Sequence, residues 1–395
     1  MRKKAVIISH YSWYDKRLEP IHDLLKREYD VTILEADFNH GSKTYKREED
    51  RNPACDYVHV PPYKKNISVG RIYSALCFGR RAGKIIEKLQ PDFIYLLMPP
   101  NNTARYCLRY KKAHPDAAYY VDLIDLWPEG LIPLRGEALK RLPPIKYWAK
   151  MRNDSIRAAD HVFTECDFYQ EQLADVIGLP ERATTLRLFR NQSEEEYALV
   201  KRKLAEYVAA KDANANKFTL AYCGSINHII DIAGIARLTR LLGRDGRRVE
   251  VRVIGDGEGR EAFLSALKES GAAVSFYGKI FDQTAKIELL GVCDYALNMM
   301  KPGLPVGLTI KSVDYLSMGL PLANNIRGDT WNLVERESIG VNVGEDEGDE
   351  ETLAEQFRRD IDRERVLQTF RNEFTRESFQ ERVRQFLERA APDGK

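Results

Sequence analysis

Residues 218–257 read FTLAYCGSINHIIDIAGIARLTRLLGRDGRRVEVRVIGDG. FTLAYCGS is an apolar run closing on Gly-Ser, IDIAGIARLTRLL carries a helical pattern, and VEVRVIGDG is a second apolar run closing on glycines. Two buried strands joined by a helix make a parallel βαβ unit, because only a crossover lets consecutive strands run the same way. The pattern continues outward. GREAFLSALKES reads as a helix, and AVSFYG, DYALNMM and GLPLANNI read as further strands.

The first half has the same rhythm. AVIISH is a strand and RLEPIHDLLKREY a helix, with Leu18, Ile21, Leu24 and Leu25 on one stripe. DVTILEA, DFIYLLMP, AAYYVDLID and HVFTEC follow as strands, with IYSALCFGRRAGKIIEKL among the helices between them. At 395 residues the chain exceeds one ordinary core, so two domains are expected. The fold class is therefore α/β, with two doubly wound, Rossmann-like domains in tandem. The boundaries expected are 1–190 for the first domain, 191–217 for a charged, helical linker ending in a flexible loop and containing SEEEY and KDANANK, and 218–375 for the second. Residues 376–395, with the amphipathic FQERVRQFLER, form a terminal helix that could pack back on the first domain.

Composition narrows the classes. Hydrophobic residues at 44% and charged residues at 30% describe a soluble globular chain. No apolar run approaches the roughly 18–20 residues that span a bilayer. The start, MRKKAVIISHYSWYDKR, has an apolar stretch only from Ala5 to Ile8 and reads as a first strand, not a signal peptide. Six scattered cysteines without a CxxC pair suit small core residues of a reducing, cytoplasmic compartment. Residues 1–190 hold 32 Lys and Arg against 25 Asp and Glu, and the remainder 29 against 34. The first half is thus the side expected to meet something anionic, although no long basic run with interleaved aromatics speaks for nucleic acid.

Ligands of open parallel sheets bind beyond the carboxyl ends of the strands. Three such loops stand out in the second half: Gly224-Ser225, IGDGEGR, and MMKPGLPVGLT running into a helix that carries Lys311, Ser312 and Asp314. A helix start suits a phosphate, Lys311 adds a full charge, and the Ser312 hydroxyl can add a donor. Asp314, a turn along, can accept from the vicinal hydroxyls of a ribose. The competing reading is a structural ion pair between Lys311 and Asp314. In the first half, Asp125 closes a strand in DLIDLWPEG and His10 closes the first strand. Asp122 and Asp125 do not form a glycosidase pair, since residues three apart on a strand face opposite sides. His22, His40, His59, His114, His161 and His228 have no metal-ligand spacing, and no P-loop, nucleophile elbow or HExxH is present. No bound metal or other cofactor is expected.

These residues resemble the GT-B glycosyltransferases of family 4, over nearly the whole chain. The resemblance is carried by AYCGSINHIIDIAGI, VIGDGEGREAF, VSFYGKIFDQ, CDYALNMMKPGLPVGLTIKSVDYLSMGLPLANNIRGDTWNLVE and IGVNV in order, and by DLIDLWPE and AADHVFTECDFYQEQL in the first half. The series is similar to the subgroup of bacterial capsule and exopolysaccharide assembly. It implies two Rossmann-like domains facing a cleft, the second holding a nucleoside-diphosphate sugar and the first a saccharide acceptor, with retaining, metal-independent transfer. On this resemblance Asp125, His10 and Lys311 are the catalytic candidates. Gly224, Ser225, Lys279, Lys301, Ser312 and Asp314 are the donor-binding candidates, with Asp314 matching the second Glu of the family's E-x7-E motif. Three departures accompany it. The first Glu of that motif falls at Val306, and the basic pair that commonly follows the Gly-Ser turn is absent, leaving Lys301 or Lys279 to supply charge. The frequent first-domain His falls near Ile124. Alternatives carried beside the transferase are a catalytically silent subunit supporting a partner transferase and a sugar-nucleotide epimerase.

Between Pro61 and Gln90 lie Lys64, Lys65, Arg71, Arg80, Arg81, Lys84 and Lys88 against the single acid Glu87, among Ile67, Ile72, Tyr73, Leu76 and Phe78. KRLPPIKYWAKMR follows later in the same half. Two readings stand side by side: a peripheral contact with an anionic membrane surface bearing a lipid-linked acceptor, or a helix packed on the sheet with a solvated basic face.

Overall fold

In the computed structural model, residues 2–13, 16–66, 68–131, 142–210, 216–344 and 350–390 are described. The chain forms two compact units, residues 1–188 with 379–395, and residues 189–378.

The first unit contains β1 (Lys3–Ser9), β2 (Tyr29–Ala36), β3 (Phe38–Asn39), β4 (Thr44–Tyr45), β5 (Asp56–Val58), β6 (Phe93–Met98), β7 (Ala118–Leu123), β8 (His161–Thr164) and β9 (Ala183–Thr185). All but the β3–β4 hairpin join one sheet, in the order β5-β2-β1-β6-β7-β8-β9. Its pairs are parallel, Ile7 lying opposite both Ile33 and Tyr95. The central strands are apolar on both faces because helices cover both: every residue of β6 is buried.

A fully buried Arg17 ties this unit together. Its Nε and Nη2 donate to the two carboxylate oxygens of Asp122 at 2.7 Å, and Nη1 donates to Leu186 O at 2.9 Å. Tyr95 Oη donates to the same carboxylate at 2.6 Å. Asp122 is thus a structural acid inside the sheet, while Asp125 lies beyond the strand end. Residues from Phe379 onward belong to the first unit: the Arg17 guanidinium lies 5.4 Å from the Phe379 ring, and Phe386 packs on His161 with ring centroids 3.8 Å apart.

The second unit contains β10 (Lys217–Cys223), β11 (Arg248–Ile254), β12 (Ala273–Phe276), β13 (Tyr295–Asn298), β14 (Leu322–Asn324) and β15 (Gly340–Asn342), in the order β12-β11-β10-β13-β14-β15. Again the pairs are parallel. Both sheets start in the middle, grow to one side and then cross to the other, as the doubly wound dinucleotide-binding sheet does. The direction reverses between β1 and β6 in one unit and between β10 and β13 in the other.

The segment expected as a linker is part of the second unit. Glu194–Ala210 is a helix with Leu199, Val200 and Leu204 buried, and Arg190 N donates to Phe374 O at 2.8 Å. Its sparse apolar residues suffice because they sit one to five residues apart on one face. The KDANANK loop lies mostly outside the described residues. Five of the six cysteines are buried.

Candidate functional site

In the second unit, three strand-end turns are stitched together beside the switch point. Gly224 N donates to Ile254 O at 2.9 Å, Ile226 N to Asp256 O at 3.0 Å, and Gly255 N to Gly278 O at 2.7 Å. This requires backbones in contact. A Cβ on Gly255, whose φ is +145°, would lie 1.9 Å from Gly224 O. Gly224, also at +145°, leaves room for the Lys311 stem, whose Cδ would sit 3.0 Å from an added Cβ.

Lys311 belongs to the helix Ile310–Ser317. Tyr315, one turn on, clamps that helix to β10: its Oη accepts from Cys223 N at 2.7 Å and donates to Cys223 O at 3.2 Å. The clamp lays Lys311 across Gly224, with Nζ 3.4 Å from Tyr222 Oη and 5.0 Å from the Tyr222 ring. No carboxylate lies within 4 Å of that ammonium among the described residues, and burial lowers its pKa to about 8. A charged amine held unpaired in a low-dielectric setting is a site that gains by receiving an anion.

The competing ion pair between Lys311 and Asp314 does not form. Asp314 pairs with Arg190 instead, Oδ1 to Nε at 3.3 Å, and Arg190 also meets Glu196 at 3.1 Å. Ser312 corrects the sequence reading. Its side chain is fully buried in a capping box, accepting from and donating to Thr309, so its hydroxyl serves the helix start and not a ligand. Ser225 is exposed, and its carbonyl accepts from Tyr222 Oη at 2.7 Å. Lys279 Nζ lies 3.6 Å from Asp256 with a side chain 62% exposed, and Lys301 is exposed on the loop after β13.

A buried asparagine ladder next to this helix start went unread in the sequence. Asn298, Asn324 and Asn342 are register partners on β13, β14 and β15. Asn298 Nδ2 donates to Asn324 Oδ1 at 2.9 Å, and Asn324 Nδ2 to Asn342 Oδ1 at 2.8 Å. Asn298 Oδ1 accepts from Thr309 Oγ1 at 2.9 Å, which locks the helix cap to the sheet. The paired asparagines of PLANNI were the available signal.

In the first unit, His10 follows β1 at the other switch point. It is buried between the edges of Tyr11 and Phe78, centroids 4.7 and 4.8 Å away, and its Nδ1 has no hydrogen-bond partner. Burial, with Arg71 and His40 adding to it, lowers its pKa to about 3, so the ring is neutral at pH 7. Asp125 Oδ2 accepts from Trp127 Nε1 at 2.9 Å, and burial raises its pKa. Oδ1 rests against Gly130, where a Cβ would come within 2.7 Å. Arg71, which the sequence places in a basic segment open to a membrane-facing or a solvated reading, is drawn into this cluster. Its Nε and Nη2 donate to Tyr11 Oη at 3.0 and 2.7 Å, and its guanidinium stacks 4.5 Å from the Trp127 ring.

Among the described residues no group of three or more His, Cys, Asp or Glu is arranged to hold a metal ion, and no helix is long and apolar enough to cross a membrane.

No protein-family model matches the chain, and no curated protein is significantly similar in sequence. Solved structures are similar in fold. HepE of Anabaena, crystallised with UDP and glucose, superposes with a TM-score of 0.60 at 12% identity, over 98% of this chain and 99% of that one. The lipopolysaccharide outer core galactosyltransferase WaaB gives 0.61 at 12%, over 98% and 99%. The N-terminal domain of trehalose-6-phosphate phosphatase from Candida albicans gives 0.65 at 12%, over 98% and 97%. At such identities the likeness establishes the fold: α/β, with two Rossmann-like domains.

Proposed function

We propose that the protein is a retaining glycosyltransferase that moves a hexose-type sugar from a nucleoside diphosphate to a saccharide acceptor. The observation that carries this reading is Lys311, an unpaired ammonium lying over Gly224 where three strand-end turns meet. Two supports accompany it: a family-4 GT-B resemblance in sequence, and a fold shared with HepE, which was crystallised with UDP-glucose.

In this reading the diphosphate lies against Gly224 and the start of the Ile310–Ser317 helix, next to Lys311. Charge on the leaving diphosphate grows as the glycosidic bond breaks, so a nearby ammonium favours the transition state over the ground state. Asp314, held in place by Arg190, accepts from the ribose hydroxyls. Asp125 sits on the acceptor side; a carboxylate with a raised pKa is suited to taking a proton from an attacking hydroxyl. His10, neutral at pH 7, contributes a hydrogen bond there and no charge. The lysine and helix-dipole account makes transfer metal-independent, so activity persists in EDTA; loss restored by Mg²⁺ or Mn²⁺ would reject that part.

The deciding experiment incubates the protein with a panel of sugar nucleotides and follows nucleoside diphosphate release. A transferase shows slow hydrolysis with one or a few donors. A new sugar nucleotide would instead mark an epimerase, and inertness across the panel would mark a non-catalytic subunit.

Cell-surface polysaccharide assembly on a lipid-linked acceptor, at the inner face of the membrane, is the setting we infer. Helix Val69–Leu89 buries Ala75, Phe78, Ala82 and Ile86 on one stripe. A different stripe leaves Val69 82%, Ile72 41%, Tyr73 57% and Leu76 50% exposed, and continues through exposed Arg80, Lys84 and Lys88. Apolar side chains followed by bases on one face suit an anionic lipid surface. Leu142 and Tyr147, 46% and 54% exposed, offer a second such segment, while Ile67, Lys140 and Arg141 lie outside the described residues. Co-sedimentation with anionic but not neutral vesicles, weakened by reversing Arg80, Arg81 and Lys84, is expected; equal indifference to both would remove the membrane from the account.

A further inference from the structure

We propose that the first unit recognises an oxyanion, a phosphate or carboxylate borne by the acceptor, and that Arg71 is the residue that binds it. The inference rests on the reading that this unit receives the acceptor.

Four parts of the chain converge at the carboxyl edge of the first sheet: His10 and Tyr11 after β1, His40 and Lys43 in the β3–β4 hairpin, Asn66 with Arg71 at the start of the Val69–Leu89 helix, and Asp125 and Trp127 after β7. Two cations meet there. Arg71 Nη1 donates to Asn66 O at 2.8 Å, and Lys43 Nζ donates to the side-chain oxygen of the same asparagine. Neither has a carboxylate within 4 Å among the described residues, and the first turn of the helix holding Arg71 has no acidic residue. Holding like charges together without a counter-ion costs free energy unless an anion completes the site. Arg71 indeed contributes to lowering the Lys43 pKa, second to burial. Asp125, the nearby acid, feels the Arg71 charge at longer range, but its carboxylate takes its hydrogen bond from the Trp127 indole and makes no ion pair with Arg71.

The guanidinium is also pre-oriented. Its Cζ lies over the Trp127 ring, 4.5 Å from the centroid, and Tyr11 Oη holds its Nε–Nη2 side. A guanidinium has five N–H bonds. Three are spent on Tyr11 and Asn66, which leaves two for a ligand. A rigid guanidinium with N–H bonds to spare is suited to an oxyanion's paired acceptors. His10 supplies an independent sign of a missing ligand group: Nδ1 is buried without a partner, in a residue only 4% exposed, where such an atom is expected to be satisfied. His40 is also neutral at pH 7, its pKa lowered to about 4 by burial and by Arg71 and Lys43, so the two rings add polar contacts without competing charge.

The test titrates glucuronate, glucose 6-phosphate and glucose into full-length protein by ligand-observed NMR. Lys311→Ala serves as background, so that the second unit's phosphate site is silenced. At least one charged probe is expected to bind roughly tenfold more tightly than glucose, with binding weakened by salt. Which one binds tells a carboxylate-bearing acceptor from a phosphorylated one. Arg71→Gln should abolish the preference, and Lys43→Gln should reduce it if Arg71→Gln proves unstable by circular dichroism. Equal affinity for charged and neutral probes, no binding of any probe, or a preference that survives Arg71→Gln would overturn the proposal. Nucleoside diphosphate release by the wild-type protein separates the two failures: donor hydrolysis there leaves the transferase reading standing when the oxyanion site falls.

Discussion

Replacing Lys311 by methionine should make the empty protein more stable and its nucleotide complex weaker. The stem packs over Gly224 in either case, so the change removes mainly the charge. Burial lowers the Lys311 pKa from 10.5 to about 8. At about 1.4 kcal/mol per pKa unit, the charged form is penalised by up to about 3 kcal/mol in the folded state. Partial exposure reduces the expected gain to about 1–3 kcal/mol at pH 7. The pH dependence follows from linkage. Below pH 8 both folded and unfolded chains carry the proton, and the penalty is complete. Between about 8 and 10.5 the folded state loses its proton first, so wild-type stability rises with pH. Above 10.5 both forms are neutral and the advantage of methionine disappears. Urea unfolding of both proteins at pH 7 and near pH 10.5 reads this out, and titration of nucleoside diphosphate into each reads out the second half. Methionine destabilising the protein at pH 7, or a gap that does not shrink with pH, would refute the unpaired-ammonium argument.

Asp314→Asn should weaken nucleotide binding by about 1.5–3 kcal/mol, as loss of a charged hydrogen bond does; unchanged affinity by calorimetry would remove the ribose assignment. Gly255→Ala places a methyl 1.9 Å from Gly224 O and should cost about 2–4 kcal/mol in a thermal or urea melt, along with nucleotide affinity. Arg17→Met leaves Asp122 buried without its counter-ion and should destabilise by about 3–5 kcal/mol; a loss under about 1 kcal/mol would show that the pair is dispensable. His10, lowered from 6.5 to about 3 chiefly by burial, binds a proton in the unfolded chain before the folded one. Its contribution to stability is therefore present above pH 6.5 and is lost as pH falls towards 3, and its NMR signals should not titrate between pH 5 and 8.

The alternation of apolar runs with helical stretches was enough to read two doubly wound domains, because strands covered on both faces leave unbroken apolar segments such as FIYLLM. That Lys311 sits in the first turn of a helix was legible too, since a Gly/Pro-rich loop entering a helix is a local signal; its role toward a ligand rests on the proposal. What was hidden depends on register and distance. Asn298, Asn324 and Asn342 are separated by 26 and 18 residues, and only the in-register parallel pairing brings them together. Arg71 sits in a basic segment whose other members are mostly solvated, and nothing local says that it alone turns towards Tyr11 and Trp127. Ser312 misled for the opposite reason. The Thr309-x-x-Ser312 spacing is itself a helix-start signal, and satisfying the first turn of a buried helix takes precedence over offering a hydroxyl to a ligand. The charged interval after residue 190 suggested a tether because its apolar residues are few. The helix expected there is present, but Leu199, Val200 and Leu204 anchor it in the second unit.

The return of residues 379–386 to the first unit makes the second unit an insertion within the first. During synthesis the opening 188 residues therefore emerge with a gap in their own core. His161, Phe163 and Tyr120 wait for Phe386, which lies 3.8, 5.0 and 5.6 Å from their ring centroids in the finished protein. The inserted unit, translated in between, can fold before the first unit receives the segment that covers its aromatic surface. Dissection has to respect this order. A fragment cut at residue 188 exposes that aromatic surface and should aggregate, whereas residues 189–378 form a self-contained excision. A first unit for acceptor studies is better made by joining residue 188 to residue 379 through a short glycine-serine bridge than by truncation.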